Sequence, residues 1–107
     1  MLNYDQFRQG DVLVEEIANI LTDAIRCERD EQGRIVLAYG EVTGHAHAIH
    51  NKDVNFYKGS NDELYLDVLS NAEITHEEHS KIPLGNKKFI VIRQREFIDN
   101  EVKYVAD

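Results

Sequence analysis

Short segments rich in β-branched residues follow one another at close spacing along this chain of 107 residues, and turn sequences separate them. The clearest segment is Lys88–Arg95, and Asp11–Ile17 and Arg34–Tyr39 have a similar composition. About seven or eight short strands at this spacing favour an all-β fold, either a small barrel or a sandwich. No segment has the pattern of a strand–helix–strand unit, so we expect a single β-rich domain over residues 1–107.

Two turn sequences predict hairpins between neighbouring strands. Gly33 ends the first turn, and a glycine in a left-handed conformation there would let Ile25–Arg29 pair with Arg34–Tyr39. A second turn, which begins at a glycine, lies between Val54–Lys58 and Glu63–Leu69. We therefore expect two antiparallel hairpins in the first two-thirds of the chain.

The remaining signals for local structure are weaker. Ala18, Leu21 and Ile25 are spaced as on one face of a helix, which allows at most one short helix. Ala72–Thr75 is a candidate short strand, and the only proline of the chain predicts a turn at Pro83–Asn86.

The composition excludes several classes of protein. Twelve basic against twenty acidic residues give a net charge of −8, which argues against bulk binding of nucleic acid or an anionic membrane. A single cysteine, Cys27, excludes an internal disulfide and any zinc site built from several cysteines, so we assign Cys27 to packing. The N-terminal residues do not resemble a signal peptide, and no apolar run is long enough to span a bilayer. We expect a cytoplasmic protein.

All five histidines lie between positions 45 and 79, and the first pair has the spacing of a strand face. Residues two apart in a strand project to the same side, so His45 and His47 would present two imidazoles together. Ala46 would point to the other side. His50 falls on that alanine side and is a weaker candidate ligand.

A second pair, His76 and His79, brackets two carboxylates. On a helical turn or in a tight loop the two rings would share a side, whereas in a straight strand only one could join the first pair. Glu77 or Glu78 could bind a metal ion or act as a general base toward a metal-bound water. The spacing differs from that of the zincins, which need histidines four apart.

The four histidines His45, His47, His76 and His79 therefore predict a site for a divalent metal ion, with Zn, Mn, Fe and Ni as candidates. Three histidines and an open position would suit catalysis, whereas four closed ligands would suit a structural site. The alternative is that the histidines lie on a solvated acidic surface, or are buried and hydrogen-bonded to carboxylates.

The end of the clearest strand is polar on both faces. Phe89 and Val91 share a face with Arg93 and Arg95, while the apolar side chains of the opposite face lead to Gln94. A buried strand that leaves the core at a cleft would have this pattern. Arginine binds phosphate or carboxylate through two hydrogen bonds, so Arg93, Gln94 and Arg95 are candidate ligand-binding residues. The alternative is that the arginines pair with nearby acids.

Four segments together resemble a known group of sequences. They are Arg8–Leu13, Tyr39–His47, His76–His79 and Arg93–Phe97. They resemble a family of small uncharacterised bacterial and phage proteins that carry these segments in this order, the Val-Thr-Gly-His-x-His stretch being the most distinctive. The resemblance covers nearly the whole chain and implies a genuine domain without implying an activity.

A looser similarity links the chain to the cupin barrels. His45 and His47 match the paired histidines of the first cupin motif, and Pro83–Gly85 resembles the turn of the second. The expected glutamate does not follow His47 at the cupin spacing, and His76 and His79 precede the Pro-x-Gly turn. The resemblance implies a barrel in which only His45 and His47 can be assigned as ligands.

These observations predict a metal-dependent hydrolase that acts on a small anionic or nucleotide-like substrate through a metal-activated water. An iron-dependent oxygenase is the variant if the ion is iron. The alternatives are a non-catalytic module that binds or sequesters a ligand or a metal, and an accessory protein that acts through a protein partner. A small β domain with an exposed edge strand gains core by self-association, so we expect a homo-oligomer.

Overall fold

The computed structural model describes residues 5–40, 44–61, 63–93, 95–98 and 101–104, the last two segments by their backbone. The described residues form β-strands and no helix. The strands are β1 (Gln6–Gln9), β2 (Val12–Ile17), β3 (Ile25–Arg26), β4 (Ile35–Tyr39), β5 (Ala46–Ile49), β6 (Val54–Lys58), β7 (Leu64–Val68), β8 (Ala72–Thr75), β9 (Ile82–Leu84), β10 (Lys88–Arg93), β11 (Arg95–Ile98) and β12 (Glu101–Tyr104). None of the described residues forms a helix that could cross a membrane.

Two antiparallel sheets make up the fold. One contains six strands in the order β1-β2-β10-β7-β6-β3, and the other contains four in the order β4-β5-β8-β9, while β11 pairs with β12. One buried cluster takes Val14 and Phe89 from the larger sheet and Ile49 and Ile74 from the smaller. Burial of these apolar side chains between the two sheets provides the main driving force for their association.

The sandwich alternative is therefore confirmed, and the closed barrel is wrong. Among the described residues, β1 and β3 end the larger sheet, and β4 and β9 end the smaller, so neither sheet closes on itself. The cupin-like closure that the looser similarity implied is absent with it. The short helix allowed near Leu21 is also not formed. Leu21 and Ile25 are 56% and 73% exposed, so the apolar face of a helix here would have no core to pack against.

Strand β10 follows the predicted alternation. Phe89 and Val91 are buried between the sheets, and Ile92 on the opposite face is 40% exposed. The strand pairs with β2 and β7, which places it in the interior of the larger sheet. The Cα register sets Val91 opposite Val14, so the inner apolar residues of neighbouring strands form continuous rows.

One predicted hairpin is confirmed and the other is wrong. Strands β6 and β7 pair antiparallel from Val54 to Val68. Strand β3, however, pairs with β6, while β4 pairs with β5 in the smaller sheet. The turn after β3 still has Gly33 at φ 78°, but the Arg29 guanidinium donates to the carbonyls of Asn51 and Val54. These bonds hold the chain at the β5–β6 connection, so it crosses between the sheets instead of folding back.

The predicted turn at Pro83–Asn86 begins two residues later. Pro83 lies inside β9, an edge strand, where its missing N–H costs no ladder hydrogen bond. The turn itself follows Gly85, whose carbonyl accepts a hydrogen bond from the Lys87 N–H.

Candidate functional site

Four histidine rings meet at one end of the smaller sheet. His47 lies in β5, and Ala38 is opposite it in β4. His76 follows β8 and continues the inner-facing parity of buried Ile74. The centroid of the His76 ring is 4.4 Å from that of His47 and 5.8 Å from that of His45. The predicted strand face therefore forms, and the second histidine segment packs against it.

The connection between β8 and β9 is the tight loop that the spacing allowed. Residues 77–79 form bends, and the His79 ring lies 4.7 Å from His76 and 5.8 Å from His47 between centroids. All four predicted metal-binding histidines are thus brought together. His50 is exposed and has no ring contact with the cluster among the described residues.

Gln9, at the end of β1, fixes the hydrogen position on His47. The Gln9 Nε2 group donates to the carbonyl oxygens of Ile74 at 3.2 Å and Ser80 at 2.8 Å. Its Oε1 atom must therefore face His47 Nδ1, which lies 2.8 Å away and donates to it. In the neutral ring the lone pair is then on Nε2, as in metal sites where the second ring nitrogen donates to a carbonyl.

Asp11 brings a buried carboxylate to the same ring. Gly10 and Asp11 form the two-residue turn between Gln9 and Val12, and the φ of Gly10 is 57°. The Asp11 side chain is 8% exposed, and its Oδ1 atom lies 4.0 Å from His47 Nε2. This separation suits an atom held between the two groups better than a direct hydrogen bond.

Gln9 and Asp11 were missed by the sequence reasoning. Their only signal was that two polar residues flank a glycine at the start of an apolar strand. That pattern indicates a tight turn, and it does not indicate that both side chains point inward.

Glu77 joins the cluster to the strand that carries the first histidine pair. Its Oε1 atom accepts a hydrogen bond from the Ala46 N–H at 2.7 Å. This hydrogen bond is the main cause that lowers the pKa of the Glu77 carboxyl below 4.5, and His45 and His76 add to it. One ligand atom each from His45, His76 and Glu77 lie within 4.8 Å of one another. Glu77 is thus an ionised group inside the candidate metal centre.

Glu78 contacts two histidines of the cluster, His45 and His76. One carboxylate oxygen lies 3.2 Å from His45 Nδ1 without the geometry of a hydrogen bond. The Glu78 N–H donates to His76 Nδ1 at 3.0 Å, so the neutral His76 ring carries its hydrogen on Nε2. That Nε2 atom is buried and has no hydrogen-bond partner among the residues described. A buried polar atom of this kind needs an explanation, and a bound ligand is one.

The predicted arginine segment lies apart from the histidine cluster. Arg93 faces a groove of about 220 Å³ that is also lined by Val91, Leu64 and Lys58. The register places it two strands from Gln9, about 10 Å away by the spacing of neighbouring strands. Gln94 and the side chain of Arg95 lie outside the described part of the structure.

Comparison with known proteins gives one match. The sequence model of a family described as a domain of unknown function (DUF8820) matches residues 8–94. No curated protein and no solved structure matches the chain.

Proposed function

We propose that this chain, which belongs to the family described as a domain of unknown function (DUF8820), is a metal-dependent hydrolase. The histidine cluster would hold one divalent ion, with Zn, Mn, Fe and Ni as candidates. The observation that carries the proposal is the grouping of His45, His76 and Glu77, whose ligand atoms lie within 4.8 Å of one another.

These atoms would draw together around an ion. Nitrogen and carboxylate ligands lie about 2.0–2.2 Å from zinc, so two ligand atoms of a tetrahedral site are about 3.4 Å apart. A pair at the 4.8 Å limit would therefore close by about 1.4 Å. Three protein ligands leave the fourth position for water, which is the arrangement of catalytic zinc sites. The carboxylates of Asp11, Glu77 and Glu78 supply negative charge around the rings.

Glu78 supports a hydrolytic role. Its side chain is 61% exposed and reaches to 3.2 Å from His45, so it lies between the cluster and solvent. A carboxylate at this position can take the proton of a metal-activated water. Arg93, about 10 Å from Gln9, would hold the negative group of a small anionic or nucleotide-like substrate.

Metal binding at His76 has a structural consequence. If Nδ1 binds the ion, its lone pair is no longer available to the Glu78 N–H. If Nε2 binds, its hydrogen moves to Nδ1, which then cannot accept that hydrogen bond. In both cases the 3.0 Å hydrogen bond from Glu78 opens. His47 needs no such change, because its hydrogen is on Nδ1, where it bonds to Gln9 Oε1.

The first test is the metal content of tag-free protein, measured by mass spectrometry as purified and after reconstitution with Zn, Mn, Fe and Ni. We expect about one ion per chain. His76→Ala should lose it, and His50→Ala, which removes an exposed histidine, should retain it. In the wild-type protein the Glu78 amide resonance should move as metal is added. Absence of metal after all four reconstitutions would overturn the proposal.

A non-catalytic metal-binding module is the second candidate. It is favoured by the complete burial of His47, since His47 as a fourth ligand would close the site. Turnover of bis-p-nitrophenyl phosphate by the metal-loaded protein separates the two. We expect Glu78→Gln to lower this activity by about 100-fold or more with its metal retained. A metal-loaded wild type without turnover on anionic esters would leave the binding module as the function.

A further inference from the structure

A second polar region lies beyond the other end of β5. There the chain crosses between the sheets twice, once after β3 and once before β6. A groove of about 570 Å³ opens between the two crossings, lined by Cys27, Arg29 and Lys52 among others. Its size falls within the range of sites for small ligands. None of the histidine-cluster residues lines it.

Arg29 is the fixed cation of this groove. Its guanidinium donates only to backbone carbonyls, at 3.1 Å to Gly33, 3.2 Å to Val54 and 3.4 Å to Lys52, and also to Asn51. These partners are neutral, and no carboxylate of the described residues pairs with it. The side chain is therefore held in place while its positive charge stays uncompensated. A cation of this kind attracts an anion without any loss of side-chain freedom on binding.

Two further cations line the same groove. Arg26 donates to the amide oxygen of Asn55 at 2.9 Å, and Lys52 is exposed. Neither forms an ion pair within the described part of the chain, although acidic residues outnumber basic ones overall. Glu28 is the one acid among the lining residues. Three positive charges and one negative charge leave the groove with a local charge of +2, in a protein whose net charge is −8.

The groove also has an apolar floor. Val54 and Phe56 are buried beneath it, and Cys27 is half-buried at its side. An inorganic anion would use the charges alone, whereas an organic body would also cover this floor. A phosphate monoester carries about −1.5 to −2 at pH 7, which matches the local charge. We propose that the groove binds a small organic phosphate monoester, independently of the histidine cluster.

The test measures the binding of phenyl phosphate by calorimetry at constant ionic strength. Potassium chloride is the reference salt. We expect saturable binding of phenyl phosphate, and inorganic phosphate should bind more weakly. Removing two cations with Arg26→Gln and Lys52→Gln together should weaken binding at least about tenfold, whereas Glu28→Gln should strengthen it. Lys81→Gln with Lys88→Gln removes the same charge outside the groove and should change little. Arg29 is left intact because its hydrogen bonds hold the backbone.

Cys27 gives an independent readout, because it is the only cysteine of the chain and lines the groove. Phenyl phosphate should slow alkylation of Cys27 in the wild type and should slow it less in the Arg26→Gln, Lys52→Gln protein. Binding no stronger than that of chloride would overturn the proposal, and so would equal binding by the two double variants. If inorganic phosphate binds as tightly as phenyl phosphate, the groove does not recognise the organic part of the ligand, and that part of the proposal is overturned.

Discussion

The two ends of strand β5 carry polar regions of opposite sign. At its start, the carboxylates of Asp11, Glu77 and Glu78 lie near His47 and the histidine rings around it. Beyond its end, three cations and one acid line the groove, and the guanidinium groups of Arg26 and Arg29 donate to neutral oxygens. The ligand that we propose for the first region is a cation, and the one that we propose for the second is an anion.

The difference shows that the charge of a local region can oppose the net charge of the chain. A net charge of −8 would favour cations everywhere if the charges were evenly distributed. Arg29 has no carboxylate partner among the described residues, because its guanidinium donates to backbone carbonyl oxygens instead.

The largest expected effect is a loss of stability when Arg29, the fixed cation of the groove, is removed. Arg29→Ala deprives four carbonyl oxygens of a charged donor, and we expect the free energy of unfolding to fall by about 3 kcal/mol. The measurement is urea denaturation. Arg26→Ala, which loses one bond at an exposed side chain, should cost less than about 0.5 kcal/mol. Similar costs for both variants would show that Arg29 does not hold the crossing between the sheets.

At the opposite end, Gln9 is the corresponding positioning residue. Gln9→Leu keeps the approximate shape of the side chain but removes the acceptor of His47 Nδ1–H. We expect zinc affinity to fall by about 10- to 100-fold, measured by competition with a chromogenic chelator.

Gln6→Leu is the matched control, because the exposed Gln6 lies on the same strand and donates to the half-buried Glu15. An unchanged zinc affinity in Gln9→Leu would separate His47 from the metal site.

The smallest expected effect concerns acid stability. The Ala46 N–H lowers the pKa of Glu77 in the folded protein. The stabilisation from this group is present above its unfolded pKa near 4.5 and is lost as the pH falls through the lower, folded pKa. Between pH 6 and pH 3, Glu77→Gln should therefore lose less stability than the wild type. The urea concentration at the midpoint of unfolding, measured for both proteins across this pH range, tests this expectation.

Glu31→Gln provides the reference for that series, since Glu31 is exposed in the turn before Gly33. If Glu31→Gln and Glu77→Gln respond to acid alike, the Ala46 hydrogen bond does not stabilise the ionised carboxylate.

Local patterns in the sequence predicted the individual strands well and their pairing only in part. The alternation around Phe89 and the turn before β7 depend on neighbouring residues, and both were confirmed. The pairing of β3 was wrong because it depends on Arg29 binding carbonyls more than twenty residues away. A turn sequence cannot reveal such a distant partner. The choice between barrel and sandwich likewise depends on which strands stay unpaired at the sheet edges.

The candidate site shows the same division. Strand parity predicted that His45 and His47 share a face, and the short spacing of His76 and His79 allowed the loop that packs against them. Gln9 could not be predicted, because its role comes from a contact with Ser80 across 71 positions. Whether Gln94 and Arg95 bind a ligand stays a prediction.

That contact between Gln9 and Ser80 has a consequence for folding. The β1–β2 turn, the start of β5 and the β8–β9 loop come from well-separated parts of the chain, so the cluster is a region of high contact order. Such contacts form only after long loops have closed. Any opening that separates the first hairpin from the β8–β9 loop would break the cluster while leaving local hairpins intact. A ligand bound to the histidine cluster would therefore slow the detachment of the N-terminal hairpin. The time for which the ligand stays bound would then depend on how rarely the β1–β2 hairpin separates from the β8–β9 loop.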